Sequence, residues 1–305
     1  MTVAFLFPGQ GSQQVGMGGA LIEESVAARA VFDVASEAAG LDLARLCADG
    51  PIERLTATEL AQPAIVATSL AALAVVRERT DLQPDWVIGH SVGEYAALTA
   101  AGALTDGAAL GLVRARGLAM AEADDGAMAA VIGLDDAVVE ALCAGIEGVW
   151  PANYNSPGQL VVSGTPDGVE ALCVAARDAG ARRALPLNVS GAFHSPLMAP
   201  AAERLRPALE AVSVDTPGVG FLSTTTGAPA RDPAEIRELL VRQLTAPVRF
   251  TQGARALADL GVDLWVELGA GGVLCGLLRR IDRSARCLVV AAPADVAPLQ
   301  EAVHG

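Results

Sequence analysis

Residues 88–94 read Ile88-Gly89-His90-Ser91-Val92-Gly93-Glu94. Gly-x-Ser-x-Gly between an apolar strand and an Ala-rich helix is the pattern of a nucleophile elbow. Two glycines let the backbone turn sharply, so that the Ser91 hydroxyl projects at the C-terminal edge of the strand. The helix beginning at Val92 aims its unpaired N–H groups and partial positive charge at the same point. Those groups suit an oxyanion, and the Val92 N–H is the nearest donor. A serine hydroxyl also needs a base, and the chain has three histidines. His90 adjoins Ser91 and is expected to point to the other side of the strand end. His304 is next to last and is expected to fray. That leaves His194, in Gly191-Ala192-Phe193-His194-Ser195-Pro196. The chemistry of such a pair is attack by an activated hydroxyl on an acyl carbon. No Asp or Glu stands out as the third member of a triad.

Two further glycine-rich stretches follow apolar strands. Phe7-Pro8-Gly9-Gln10-Gly11-Ser12-Gln13 is either a loop whose backbone N–H groups approach a ligand or a plain tight turn. It is not a dinucleotide fingerprint, because Gln14 stands where the third glycine belongs. Val266-Glu267-Leu268-Gly269-Ala270-Gly271-Gly272 has the look of a nucleotide-binding loop, but too little chain follows it to complete such a domain. It is expected to be a strand-to-helix connection.

The elements that must position these residues are legible as apolar runs. Val3–Phe7, Trp86–Gly89, Val219–Leu222, Leu264–Leu268 and Cys287–Val290 read as strands. Leu60–Arg77, Val92–Ala101, Asp106–Ala123, Pro200–Val212 and Ala234–Leu244 read as helices between them. The alternation predicts an α/β protein with a parallel sheet covered on both faces. Thr105 can cap the helix that starts at Asp106, Gly40 follows the end of a helix near Ala39, and Pro200 suits a first turn. From Gly126 the order changes to strand (Met128–Ile132), helix (Asp135–Ala144), strand (Val149–Asn153), turn (155–158), strand (Gln159–Ser163), helix (Asp167–Ala179) and strand (Arg183–Leu187). That is β-α-β-β-α-β, the ferredoxin-like unit. Hinge-like composition at Ala123-Asp124-Asp125-Gly126 and Asn188-Val189-Ser190-Gly191 marks its ends. The expected organisation is a catalytic domain of residues 1–124 and 192–305 with an inserted domain of residues 125–191, and a cleft between them.

Composition narrows the function. The 305 residues are 52% hydrophobic and 18% charged, enough to build a core without staples. All 21 basic residues are Arg, which excludes Schiff-base, pyridoxal and P-loop chemistry that requires Lys. A net charge of −14 argues against nucleic-acid or anionic-membrane surfaces. Cys47, Cys143, Cys173, Cys275 and Cys287 are widely spaced, with no Cys-x-x-Cys, and are expected to be reduced, buried thiols without a metal. The start of the chain does not read as a signal peptide, and Ala64–Val76 is too short to span a bilayer, so a cytoplasmic location is expected.

Taken together in order and spacing, these segments resemble the malonyl-CoA:acyl carrier protein transacylase family. The resemblance covers nearly the whole chain. It rests on the Phe7–Gln13 loop, Gly89-His90-Ser91-Val92-Gly93-Glu94, Val113-Arg114-Ala115-Arg116-Gly117, Asn153-Tyr154-Asn155-Ser156-Pro157-Gly158-Gln159, Phe193-His194-Ser195-Pro196, Gln243-Leu244-Thr245-Ala246-Pro247-Val248 and Glu267-Leu268-Gly269. It implies an α/β-hydrolase-like core with a ferredoxin-like insert. It also implies Ser91 as nucleophile, His194 as base, and the backbone carbonyl of Gln243, in place of a carboxylate, as the group orienting the imidazole. Backbone N–H groups of Gln10 and Val92 would form the oxyanion hole, and Arg116 would bind the malonyl carboxylate. Arg114 beside it is expected to be solvated. Phe193 is similar to malonyl-selective members, whereas Ala121 departs from the Gln common after the preceding Met. The substrates implied are malonyl-CoA and the phosphopantetheine thiol of an acyl carrier protein, with no resident cofactor or metal and a monomeric enzyme. Arg182 and Arg183, or Arg279, Arg280, Arg283 and Arg286, are candidates to meet an acidic carrier. The rivals are a serine hydrolase on the same elbow and a catalytically silent carrier-binding scaffold.

Overall fold

The computed structural model describes residues 1–123, 125–189 and 191–304, except the side chain of His304. The first stretch runs β1 (Val3–Phe7), α1 (Gly19–Glu24), α2 (Val26–Ala39), α3 (Leu43–Asp49), α4 (Ile52–Thr56), α5 (Thr58–Arg79), β2 (Trp86–Gly89), α6 (Gly93–Ala100) and α7 (Asp106–Ala121). The middle stretch is β3 (Ala127–Ile132), α8 (Asp136–Gly145), β4 (Val149–Ser156), β5 (Gln159–Gly164), α9 (Pro166–Asp178) and β6 (Arg183–Pro186). The chain closes with α10 (Ala199–Ala211), β7 (Gly220–Ser223), β8 (Ala228–Ala230), α11 (Pro233–Arg242), α12 (Phe250–Asp259), β9 (Leu264–Leu268), α13 (Val273–Ile281), β10 (Arg286–Val290) and α14 (Val296–His304).

Two sheets result. The larger has the order β10-β9-β1-β2-β7-β8 and is parallel except at its β8 edge, which returns antiparallel to β7. All five residues of β1 are buried, as a central strand covered on both faces requires. Alternate side chains go to opposite sides. Phe5 and Phe7 join the core that holds α2, α5 and α7, while Ala4 and Leu6 pack with Ile88, Phe250, Trp265 and Leu278 on the other face. Helix α5 is buried all round, which is why it has almost no amphipathic period. At 22 residues it is longer than the apolar run suggested and long enough to span a bilayer, but 89% of its apolar window is buried against the rest of the fold.

Residues 127–186 form the second sheet, order β4-β5-β3-β6 and antiparallel throughout, with α8 and α9 packed on it. It has its own core around Val131, Tyr154, Leu160 and Leu172. Both hinge stretches contain a residue, Asp124 or Ser190, outside the described residues. The turn expected at 155–158 is shorter than that, since β4 continues to Ser156 and only Pro157 and Gly158, the latter at φ 72°, reverse the chain. The second sheet is laced to the segment between α11 and α12: the Tyr154 N–H donates to the Val248 carbonyl and the Val248 N–H to the Ala152 carbonyl, both at 2.8 Å. Thr251 Oγ1 donates to the Tyr154 carbonyl, and Arg249 lies over the Tyr154 ring.

Helix ends follow the expected chemistry. Thr105 accepts from the Ala108 N–H, Gly40 closes α2 in a left-handed conformation, and Pro200 sits in the first turn of α10. The cysteines depart from expectation. Cys47, Cys143 and Cys173 are buried thiols, but Cys275 and Cys287 form a disulfide, because the α13–β10 connection returns their Cα atoms to within 5.6 Å. Between β9 and α13 the glycine-rich stretch is a connection whose buried Glu267 accepts the Cys275 N–H at the start of the helix.

Helix α6 begins directly on β1. A Cβ at Gly93 would collide with the Phe7 carbonyl oxygen, and backbone cannot give way there. Gly93→Ala is therefore expected to destabilise the chain by about 3 kcal/mol or to displace the elbow, read as a lowered denaturant midpoint against wild type.

Candidate active site

The strand–helix junction at β2–α6 is too tight for a side chain at its glycines. A Cβ at Gly89 would run into the backbone of Gly93 and Glu94. Ser91 sits at the apex with φ 53°, in the left-handed region that L-residues avoid. His194 has φ 61°, and among the described residues these two are the non-glycine residues with positive φ. Strain of about 1–3 kcal/mol each is held by the surrounding packing, and it falls on the two groups suited to react.

Ser91 Oγ lies 2.8 Å from His194 Nε2, and His194 Nδ1 lies 2.8 Å from the Gln243 carbonyl oxygen. A carbonyl only accepts, so Nδ1 carries the proton and Nε2 is free to take one from the serine. The imidazole is buried. Burial first, and then the Arg116 cation, lower its pKa to about 3, so the ring is neutral at physiological pH. A neutral imidazole in hydrogen-bond contact with a hydroxyl is a competent general base.

Arg116 comes from the inward face of α7 and is 1% exposed. Its Nη1 donates to Gln62 Oε1 at 2.7 Å, and its Nη2 donates to Ser91 Oγ and to Gln243 Oε1, both at 3.0 Å. Its Nε has no partner. A buried donor left without an acceptor costs about 1–3 kcal/mol, so the arrangement calls for an acceptor from outside the chain. The neighbouring Arg114 is not simply solvated, since its Nη1 donates to the Glu59 carbonyl and ties α7 to α5.

Ser91, His194 and Arg116 border a cavity of about 290 Å³ lined by loop, helix and strand residues, among them Gln10, Val92, Met120, Met128, Asn155 and Phe193. Among the described residues neither the Gln10 nor the Val92 N–H has an acceptor, which leaves both available to a developing oxyanion. The Gln10 side chain is turned away to Thr58 Oγ1. All six residues singled out from the sequence therefore meet at one place. His90 lines the same cavity but pairs elsewhere than with Ser91. Its Nε2 pairs with Asn155 Oδ1 at 2.9 Å, and its ring packs beside Phe250. No group of His, Cys, Asp and Glu with metal-binding geometry occurs among the described residues.

Three contributors were not foreseen. Gln62 fixes Arg116 Nη1 and in turn donates to Met120 Sδ at 3.3 Å. The Gln243 side chain, and not only its carbonyl, enters the site through Arg116. Glu94 accepts from Gln243 Nε2 at 2.6 Å and is wholly buried, which raises its pKa to about 7. A signal existed for two of them. Gln62 is an amide in the buried, mostly apolar stretch of α5, and Glu94 is an acid at the start of a helix buried on every side.

A model of the acyl transferase domain matches residues 4–299. A malonyl CoA-acyl carrier protein transacylase of Bacillus subtilis is 43% identical over 301 residues, covering 96% of this chain and 95% of that protein. The crystal structure of an acyl-carrier-protein S-malonyltransferase from Burkholderia pseudomallei superposes with a TM-score of 0.96 at 42% identity, over 99% of this chain and all of the other. A type II PKS acyl-carrier protein in complex with its malonyl-transacylase matches with a TM-score of 0.95 at 38% identity, over 99% of this chain and all of the other.

The neutral state of His194 is directly measurable. Its ring resonances are expected to stay at neutral-form positions from about pH 8 down to about pH 5, without the midpoint near 6.5 of a free imidazole. A titration midpoint between 6 and 7 would mean that neither burial nor Arg116 acts on the ring as described.

Proposed function

The chain belongs to the acyl transferase domain family, and we propose that it moves a malonyl group from coenzyme A to the phosphopantetheine thiol of an acyl carrier protein through a malonyl ester on Ser91. The single observation that carries this is a buried guanidinium 3.0 Å from the serine hydroxyl whose Nε–H has no acceptor. An acyl chain ending in a carboxylate supplies that acceptor. A simple ester or acetyl thioester leaves it unpaired.

In the first half-reaction Ser91 Oγ gives its proton to His194 Nε2 and bonds to the thioester carbon, pushing the carbonyl electrons onto oxygen. The Gln10 and Val92 N–H groups donate to that oxyanion, each worth about 3 kcal/mol of barrier. Collapse breaks the C–S bond, and the CoA sulfur leaves with the proton from His194. The second half repeats this in reverse order. The carrier's thiol loses its proton to His194, its sulfur attacks the ester carbon, and Ser91 recovers its hydrogen. CoA and phosphopantetheine enter as parts of substrates. The Gln243 carbonyl keeps the imidazole in the tautomer both steps need.

Arg116 has a second effect on the base. Its charge lowers the pKa of His194, which keeps the ring neutral but makes imidazolium formation costly. A bound malonyl carboxylate neutralises Arg116 and relieves that cost, so the correct acyl group makes its own base stronger. Every group in this scheme comes from one chain, which supports a monomer as the working unit. Phe193, 4% exposed at the cavity wall, leaves little room for a branch next to the carbonyl. The exposed Arg182, Arg183, Arg279, Arg280, Arg283 and Arg286 offer positive charge to an acidic carrier from a chain of net charge −14.

Mixing the protein with malonyl-CoA should add one malonyl group to its intact mass. Ser91→Ala should take up none, and a phosphopantetheine thiol should discharge the adduct. Release of free malonate with no adduct and no thiol requirement would instead identify a hydrolase. Arg116→Ala is expected to lose about 2–5 kcal/mol of transition-state binding for malonyl-CoA and far less for acetyl-CoA. Equal losses on the two thioesters in steady-state kcat/KM would remove the carboxylate role.

A further inference from the structure

Glu94 is unused in the transfer just described, yet it is the most completely enclosed acid next to the site. Its side chain has no exposure. One oxygen accepts from the Thr224 N–H, from Thr224 Oγ1 at 2.8 Å and from Ser223 Oγ at 3.2 Å. The other accepts from Gln243 Nε2 at 2.6 Å. That same amide nitrogen donates to the Ser91 carbonyl at 3.1 Å, while the amide oxygen accepts from Arg116 Nη2 at 3.0 Å.

The atoms around the Gln243 amide have fixed roles. A guanidinium only donates, whereas a carboxylate and a peptide carbonyl only accept. The amide therefore has one orientation, with oxygen to Arg116 and nitrogen to Glu94. Turned over, it would set NH2 against the guanidinium and an oxygen against two oxygens. The relay also separates charge usefully. Among the described residues Arg116 has no ion pair, and Glu94 is, beside the Tyr95 phenol, the carboxylate whose field reaches it. A carboxylate in direct contact with the guanidinium would occupy the face that an acyl carboxylate must take. One set back behind an amide stabilises the cation and leaves the Nε–H unpaired.

We infer that Glu94 is a positioning residue for acyl selectivity: through the Gln243 amide it holds Arg116 in place and balances its charge, so that the unpaired Nε–H receives a carboxylate-bearing acyl group. The inference rests on the role of Arg116 proposed above. It assigns to the last residue of the Gly-His-Ser-Val-Gly-Glu motif a task that neither the nucleophile nor the base performs.

The test is Ser91 acylation of the full chain at about pH 8, followed by intact mass under single-turnover conditions with malonyl-CoA and acetyl-CoA in parallel. In Glu94→Gln the new side-chain NH2 faces the Gln243 NH2, so the relay must turn over or break. The malonyl-to-acetyl ratio of kcat/KM is expected to fall roughly 10- to 100-fold, mostly through a raised KM for malonyl-CoA. Gln243→Leu keeps the backbone carbonyl for His194 and removes the amide. It should lower the ratio to a similar extent, and adding Glu94→Gln to it should change the ratio no further. A purely structural role would reduce the folded fraction and depress both thioesters in proportion, and that result overturns the inference. An unchanged ratio in a folded variant overturns it too. Should Glu94→Gln not fold, Gln243→Leu decides alone by the same criterion. Failure of the wild type to take up malonyl would instead overturn the underlying function, so the two failures are distinguishable.

Discussion

Arg116 holds a positive charge where water barely reaches, and most of the site's architecture follows from that placement. Removing a guanidinium from solvent carries a penalty of several kcal/mol unless its protons find good acceptors. Gln62, Ser91 and Gln243 supply three contacts, and each of them is fixed by something else: Gln62 by Met120, Ser91 by the elbow, Gln243 by Glu94. The cation also acts on His194, since after burial its field helps to keep the ring neutral. The neutral state of the imidazole and, in the function proposed above, the preference for an anionic acyl group thus share one buried charge.

The fold brings these residues together from distant parts of the chain. Helices α5, α6 and α7 deliver Gln62, Ser91 with Glu94, and Arg116 from one side of the larger sheet. His194 arrives on the segment after β6, and Gln243 directly follows α11. The absence of a carboxylate partner for His194 is explained by this geometry. The acid of the region lies behind Gln243, and the imidazole meets the peptide carbonyl of that residue instead.

Much of this was legible in the chain itself. The five apolar runs of the larger sheet, the β-α-β-β-α-β order of the middle stretch and the elbow were readable because strand burial and glycine spacing leave local marks. Ser91 and His194 followed from residue type and elimination. Gln10 and Gln243 did not, because a backbone N–H or carbonyl is the same in every residue type, and only the family resemblance pointed to them. Helices α1, α3 and α4 escaped notice because they have only five to seven residues each, and of α2 only the end at Gly40 was read. β8 is three residues long and runs against the sheet. The Cys275–Cys287 pairing depended on a connection whose path no spacing rule defines. Glu94 lay in full view within the motif, but its partners Ser223, Thr224 and Gln243 are brought to it only by tertiary structure.

The lacing of β4 to the Ala246–Val248 segment has a consequence for traffic through the site. The same short segment leads from Gln243, whose carbonyl steadies the imidazole, to Val248, which is bonded to the second sheet on both sides. Parting the two sheets like a jaw would therefore drag on the imidazole's anchor and break two backbone hydrogen bonds worth about 1 kcal/mol each. A rigid mouth of this kind admits guests by threading. Only a slender, flexible tether can carry a thiol to the bottom while the bulk of its owner waits at the rim.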